Sequence, residues 1–455
     1  MNSLVIFKNN LRINDNPVLF HASKDQPIIP VYINDNINIR KQIGSASKFW
    51  LFRSLNSLNK NLNNKMQFYC GDTVSIVSNL INANSINKIY IEEPFTPEEI
   101  NLHNKLKNKL KNLNIDLNSY NCTLLWKPNK ILKNDSTPYR VFTPFYKRGC
   151  LESTSPDKPL GEPYKIKFAA TNNKTTLSEL NLIDKYNWHT KLDKYWEISE
   201  QAAIKIFQDF IKNSIYEYKI KRDFPYLKKN SSLSPYIRFG MISIHRMWWT
   251  LDNLKSDKNV EHFKSELGWR EFSYYLLNHF PYIEQDNFQE KFNMFEWENC
   301  PKKYASWKRG MTGFPIIDAG MRELWETGFI HNRIRMVVGS FLVKNLSIDW
   351  RLGEKWFWDC LVDADYASNV ASWQWVAGCG ADAAPYFRIF NPILQGQKFD
   401  TLGIYTRKYV PELDETPLEF LQKPWETNIE SNYPDPIVDY RKSREDALKR
   451  YQTIK

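Results

Sequence analysis

Asp363, Asp365 and Asn369 stand close together in a stretch that is otherwise apolar and aromatic, DADYASNVASWQWVAGCGADAAPYFRIFNP. A carboxylate buried in such surroundings costs several kcal/mol unless a cation or several hydrogen-bond donors satisfy it. Arg335, in the preceding HNRIRM, is the candidate partner, because a guanidinium can grip a carboxylate through two parallel hydrogen bonds. Taken alone, such a pair is more often a structural ion pair at a helix junction. Asn332 and Arg333 add donors and acceptors beside it, and together these residues suit a polar, planar ligand.

Tryptophans crowd the same region, at 269, 297, 350, 356, 358, 373 and 375, the last two bracketing Gln374. A single indole in a helical domain is ordinarily core filler. As a set, easily oxidised indoles in near contact can relay an electron between the surface and a buried redox group. Farther upstream, Ser231, Ser232, Leu233, Ser234 and Pro235 combine small hydroxyls with the start of a helix. That pattern serves either as an ordinary N-cap or as a pyrophosphate cradle.

The elements that must position these groups divide the 455 residues into two kinds of periodicity. Short β-rich runs at 4–7, 28–33, 66–69 and 89–91 alternate with helical segments, of which 45–62 is the clearest. This predicts a parallel, Rossmann-like α/β domain over 1–125, though no GxGxxG follows the first strand. Prolines at 128, 138, 144, 156, 159 and 163 forbid a long helix in 126–195, which reads as a wrapping connector. From 196 to 455 apolar residues recur at three- and four-residue spacing, notably over 202–212, 262–278, 314–327, 333–343 and 353–361, so the second half reads as all-α.

A net charge of +11 suits a polyanionic partner. Six cysteines without CxxC or Cys/His spacing argue against a metal or iron–sulfur site and for a reduced intracellular protein. Neither a signal sequence nor an eighteen-residue apolar run is found, so the expectation is a cytoplasmic, monomeric protein without membrane contact.

Over 267–400, and less strongly from residue 4, the chain resembles the photolyase/cryptochrome family, in particular its class I photolyases of cyclobutane pyrimidine dimers. The resemblance is carried by GWREF (268–272), TGFPIIDAGMREL (312–324), TGFIHNRIRM (327–336), the DxDxxxN from Asp363, WQW (373–375) and APYFRIFNP (384–392). FKNNLRINDNPVL (7–19) fits the family's opening, with Asn10 where Asp is usual and, later, Phe329 where Trp or Tyr is common.

That resemblance implies a U-shaped FAD in the helical domain. Tyr218 and RDFP (222–225) would precede a phosphate-binding segment of Asn230, Ser231, Ser232, Leu233 and Ser234. Trp269, Arg270, Asn332, Arg335, Asp363 and Asp365 would hold the rest, with Asn369 facing flavin N5. Trp373, Trp350 and Trp297 correspond, in order from flavin to surface, to the family's electron relay. Glu266, Trp269, Asn332, Met336, Trp375 and Arg388 correspond to positions lining the cavity for a flipped dimer, with Arg333, Arg388 and Lys398 on flanking phosphates. Asn332 and Met336 stand where relatives that repair 6-4 photoproducts carry histidine.

The implied activity is electron donation from excited, reduced FAD to a dimer in DNA, which opens the cyclobutane ring and returns the electron. The rival is a cryptochrome-like blue-light photoreceptor, disfavoured because the chain ends at Lys455 with little room for a signalling extension. A flavin-free DNA-binding relative is disfavoured by the polar set at 335–369. A second, antenna chromophore would be a folate, a deazaflavin or a flavin, and Glu98 near the usual contact region does not choose among them.

Overall fold

The computed structural model describes residues 1–25, 27–39, 41–171, 175–183, 186–383, 385–427 and 432–455. Part of the expected connector, 172–174 and 184–185, and Ala384 of the APYFRIFNP motif lie outside the described residues. The chain divides into two compact units, 1–139 with 143–215 and 231–279, and 140–142 with 216–230 and 280–455.

The first unit is built on strands β1 (Asn2–Phe7), β2 (Ile28–Asn34), β3 (Gln67–Cys70), β4 (Ile86–Glu92) and β5 (Asp116–Tyr120). They form a wholly parallel sheet in the order β3-β2-β1-β4-β5, with Val5 registered between Pro30 and Tyr90. A parallel sheet needs cover on its faces because its connections return as helices. Leu4, Ile6, Ile29, Val31, Ile89 and Ile91 accordingly pack with Val77 and Leu80 of α1 (Thr73–Asn84) and Leu106 and Leu110 of α2 (Pro97–Lys111). Thr96 and Glu99 close a reciprocal capping box at the start of α2.

The Rossmann-like sheet stands as expected, with one addition. β5 escapes the hydrophobic pattern because DLNSY is polar, and as an edge strand it is held by its ladder to β4 rather than by burial. Asn10, the departure from the family's Asp, is fully buried and takes a structural place: its side chain accepts from Lys8 N and donates to Asn16.

This unit also holds the 22-residue helix Lys258–His279. Buried Glu271 ties the helix to the chain leaving the sheet by accepting the N–H groups of Leu125 and Trp126 and a bond from Arg270. Desolvation pushes its carboxyl up to about 7.

The second unit is helical: Pro301–Arg309, Pro315–Thr327, Asn332–Ser340, Trp350–Cys360, Tyr366–Ala377, Pro392–Phe399, Ile404–Tyr409 and Tyr440–Gln452 are its principal elements. The segment expected over 333–343 changes character after Ser340 into a wider turn, Phe341–Asn345. No helix among the described residues is long and apolar enough to cross a membrane.

Candidate functional site

In the second unit Asn332, Arg335 and Met336 recur at helical spacing along one face of Asn332–Ser340. His331 caps that helix by accepting from Arg333 N, and burial holds its imidazole down at about 4, so the ring is neutral. Beneath the same turn lies Glu323, which accepts from the Tyr405 hydroxyl at 2.6 Å and from His331 N at 3.3 Å. Desolvation lifts its carboxyl to about 7. Glu323 was not singled out from the sequence, where it is one acid among many in an amphipathic helix.

Arg335 and Asp363 do pair, but not as a two-pronged fork. One guanidinium nitrogen, Nη2, reaches both carboxylate oxygens, at 3.1 and 2.8 Å, while Nε donates to Ile330 O at 2.7 Å. The Arg335 guanidinium also stacks 5.1 Å from the ring of Phe329, so Phe serves at the position where a larger aromatic is common. Asp365 caps Tyr366–Ala377 by accepting Ser368 N at 2.8 Å.

Asn369, one turn into that helix, gives its side-chain NH2 to the carbonyl and the carboxylate of Glu354, at 3.1 and 2.8 Å. Both Glu354 atoms are acceptors, so the amide can face them only with its nitrogen. The Asn369 side chain therefore presents a carbonyl oxygen at its other end. Glu354 is the partner that the sequence did not reveal, since nothing in GEKW links it to a residue fifteen positions on.

The tryptophans are organised around Trp350–Cys360. Trp373 is buried, and its indole lies so close to Gly353 that a Cβ there would come within 2.3 Å of Cη2. Gly353 is one turn beyond Trp350 on the same helix. Trp350 is itself buried, and its N–H donates to Asn287. The segment behind Trp297 is hydrogen-bonded to the chain just before Trp350, from Glu298 N to Ser347 O at 2.9 Å and from Asp349 N to Asn299 Oδ1 at 2.8 Å. Trp297 is half-buried and packs against Phe295 with ring centroids 4.5 Å apart. Trp375 is half-buried as well.

Arg333 is engaged locally: it bonds to Asp223 at 2.6 Å and stacks 4.5 Å from the Phe399 ring. Arg388 and Lys398 are exposed. The backbone of Arg388 is anchored by Lys344, a buried lysine that donates to its carbonyl at 2.9 Å and whose ammonium burial brings down to about 7. Tyr218 is buried under the Arg222 guanidinium, and Asn230 ends this unit's second segment.

In the first unit Glu266, Trp269 and Arg270 lie on adjoining turns of Lys258–His279. Glu266 is near His262 at 3.8 Å, Trp269 meets Phe272 edge-on at 5.9 Å, and Arg270 bonds to Thr123 O and Glu271. Arg270 thus has a structural duty that its expected cofactor role must share. Ser231 to Ser234 precede and open a helix of only five residues, Ser234–Arg238, whose N-terminus no side chain caps. Ser232 sits in the left-handed region at φ 53°, which turns successive backbone N–H groups to one side.

Within the second unit, an outward carbonyl at Asn369 and the carboxylate–guanidinium pair of Asp363 and Arg335 suit a polar, planar ring such as that of a flavin. Comparison with known proteins agrees. Residues 263–453 match the family model of the FAD binding domain of DNA photolyase, and residues 3–164 match that of DNA photolyase. A deoxyribodipyrimidine photo-lyase of Agrobacterium fabrum is 39% identical over 99% of this chain and 98% of its own length. Cryptochrome-2 of Arabidopsis thaliana is 30% identical over 97% of this chain and 77% of its own. The crystal structure of a bacterial class III photolyase from Agrobacterium tumefaciens superposes with a TM-score of 0.95 at 39% identity, covering 100% of this chain and 97% of that one. These matches establish the family, and the solved structure among them whose class is stated is class III, where the motifs led to the expectation of class I.

Proposed function

The chain belongs to the photolyase/cryptochrome family, with FAD as its cofactor, and from that premise we propose that it repairs cyclobutane pyrimidine dimers in DNA under light. The observation that carries this reading is the orientation of Asn369, whose amide nitrogen is held by Glu354. Its free end is a neutral acceptor, suited to the N–H of a reduced flavin and without the negative charge that an Asp would set against it. Reduced FAD, when bound, supplies a photoexcitable one-electron donor; the residues' own work is to hold and orient.

Arg335 and Asp363, locked to each other and to Ile330 O, give a fixed polar wall, and Asp365 holds the start of the helix that carries Asn369. Asn230 and Ser231 to Ser234 supply hydroxyls and N–H groups for a pyrophosphate. Glu266 accepts hydrogen bonds from a pyrimidine, Trp269 and Trp375 give ring faces to it, and Asn332 and Met336 complete the contact. A damaged, weakly stacked pair is the cheapest to extrude from a duplex. Arg388 and Lys398 contact the flanking phosphates, with the +11 charge behind them. Arg333, tied to Asp223, steadies the helix start and lends a weaker contact. Trp373, Trp350 and Trp297 return oxidised flavin to its working state.

The likeness to Cryptochrome-2 supports a second reading, a blue-light photoreceptor. An anaerobic light-versus-dark assay of the reduced protein on an oligonucleotide with one thymine dimer separates the two. Restored thymines only in the light support repair; photoreduction without restoration transfers the conclusion to the photoreceptor. The absorption spectrum taken in the same experiment identifies any antenna chromophore.

A further inference from the structure

Gln374, between the two tryptophans of WQW, is buried and joins nothing in the reading above. Its amide nitrogen donates to Ile283 O at 2.8 Å and Asp286 O at 3.0 Å, and its carbonyl accepts Phe288 N at 2.8 Å. These bonds clamp the residues on both sides of Asn287. Arg351 Nε donates to Gln285 O at 2.6 Å and secures the same segment to the helix that starts at Trp350.

Asn287, 2% exposed, is thereby held with its Oδ1 at 2.9 Å from the indole nitrogen of Trp350. An indole N–H can only donate, so Asn287 must turn its oxygen to Trp350. Its nitrogen then donates to Asn293 Oδ1 at 2.7 Å. Among the described residues Asn287 is the one hydrogen-bond partner of the Trp350 side chain. Arg351, paired with Asp349, lies 4.8 Å over the face of the ring and not at its N–H.

We propose that Asn287, fixed by Gln374, is a positioning residue of the electron relay that keeps the N–H proton on Trp350 while that indole is oxidised. The inference rests on the relay reading of Trp373, Trp350 and Trp297. With FAD bound as the photoexcitable acceptor, Trp373 would give up one electron and be refilled from Trp350, and Trp350 from Trp297. Loss of an electron makes an indole N–H strongly acidic. A carboxylate partner would take that proton and leave a neutral radical inside the protein, at a residue 1% exposed and beyond reach of an outside reductant. An amide oxygen is too weak a base to do so, and two amides in series, Asn287 and Asn293, carry no proton outward. Oxidised Trp350 therefore stays a cation and is refilled by Trp297. Half-exposed Trp297 releases its proton to water and regains an electron and a proton from an external thiol.

The test is flash transient absorption of the flavin-loaded protein in H2O and D2O, with a thiol present. In the wild type the neutral tryptophanyl radical is expected only at the last, Trp297, stage. In Asn287→Asp it should arise at Trp350, with a solvent isotope effect, and the photoreduction yield should fall several-fold at unchanged flavin content. A wild-type radical sequence in Asn287→Asp overturns the proposal. Should that variant not fold, Trp297→Phe halts the relay at Trp350. A radical cation that decays only by recombination supports the inference there, and prompt deprotonation refutes it. In Asn287→Ala, faster exchange of the Trp350 N–H followed by NMR is the expected ground-state signature, and unchanged exchange counts against the hydrogen bond. Undiminished photoreduction in Trp350→Phe would instead overturn the relay reading itself.

Discussion

Replacing Gly353 by Ala tests whether the Trp373 indole is held by contact with the Trp350–Cys360 helix. The added Cβ would lie 2.3 Å from Cη2 and 2.5 Å from Cζ3 of Trp373, and 2.6 Å from Cδ2 of Leu342. Carbon atoms in ordinary contact are about 3.5–4.0 Å apart, so the ring must recede by roughly an ångström or more. Its other sides are closed by Phe357, with ring centroids 4.9 Å away, and Trp307, at 6.3 Å. Overpacking of this kind costs about 1–3 kcal/mol, whereas Ala is about 1 kcal/mol better than Gly inside a helix. The net expectation is a loss of up to about 2 kcal/mol by urea unfolding. Photoreduction of oxidised flavin should slow, while repair by protein reduced beforehand persists. A variant that is more stable than wild type and photoreduces normally would refute the packing argument, because only the helix-propensity gain would then remain.

Three further outcomes follow from the same geometry. Glu266→Ala should lower affinity for dimer-containing DNA and repair yield at unchanged flavin content, measured by binding titration and absorbance; lost flavin would contradict the assignment. Asp363→Asn removes the charge facing the Arg335 guanidinium and should lower flavin retention through gel filtration, a loss that Asp363→Glu restores in part. Asp318 is wholly buried and accepts bonds from Thr312, Gly313 and Tyr433, and desolvation raises its carboxyl to about 6 from 3.8. A raised acid stabilises the fold fully below its unfolded pKa and loses that contribution as pH rises through the folded one. Relative to Asp318→Asn, wild type should therefore lose about 2 kcal/mol between pH 4 and pH 7, and parallel urea-unfolding curves for the two proteins would contradict this.

Much of the architecture was legible along the chain because burial imposes a period. The β-rich runs of the first hundred residues and the three- and four-residue spacing of the second half mark the sheet and the helices whatever lies around them. β5 was not legible, since an edge strand held by backbone bonds needs no apolar pattern. The polar cluster at Asp363, Asp365 and Asn369 announced itself as charge in apolar company, and Arg335 as its counterion, because unpaired burial is costly. Motif likeness then supplied the family.

Partnerships between distant residues were decided only by tertiary structure. That Glu354 holds the Asn369 nitrogen, that Arg335 meets Asp363 through one nitrogen, and that Gln374 fixes Asn287 against Trp350 all depend on where helices cross and on which donor finds which acceptor. The same is true of the pKa shifts at Glu323, Lys344 and Asp318. Ionisation there follows from water excluded by side chains far away in sequence, and residue type alone carries no record of that exclusion.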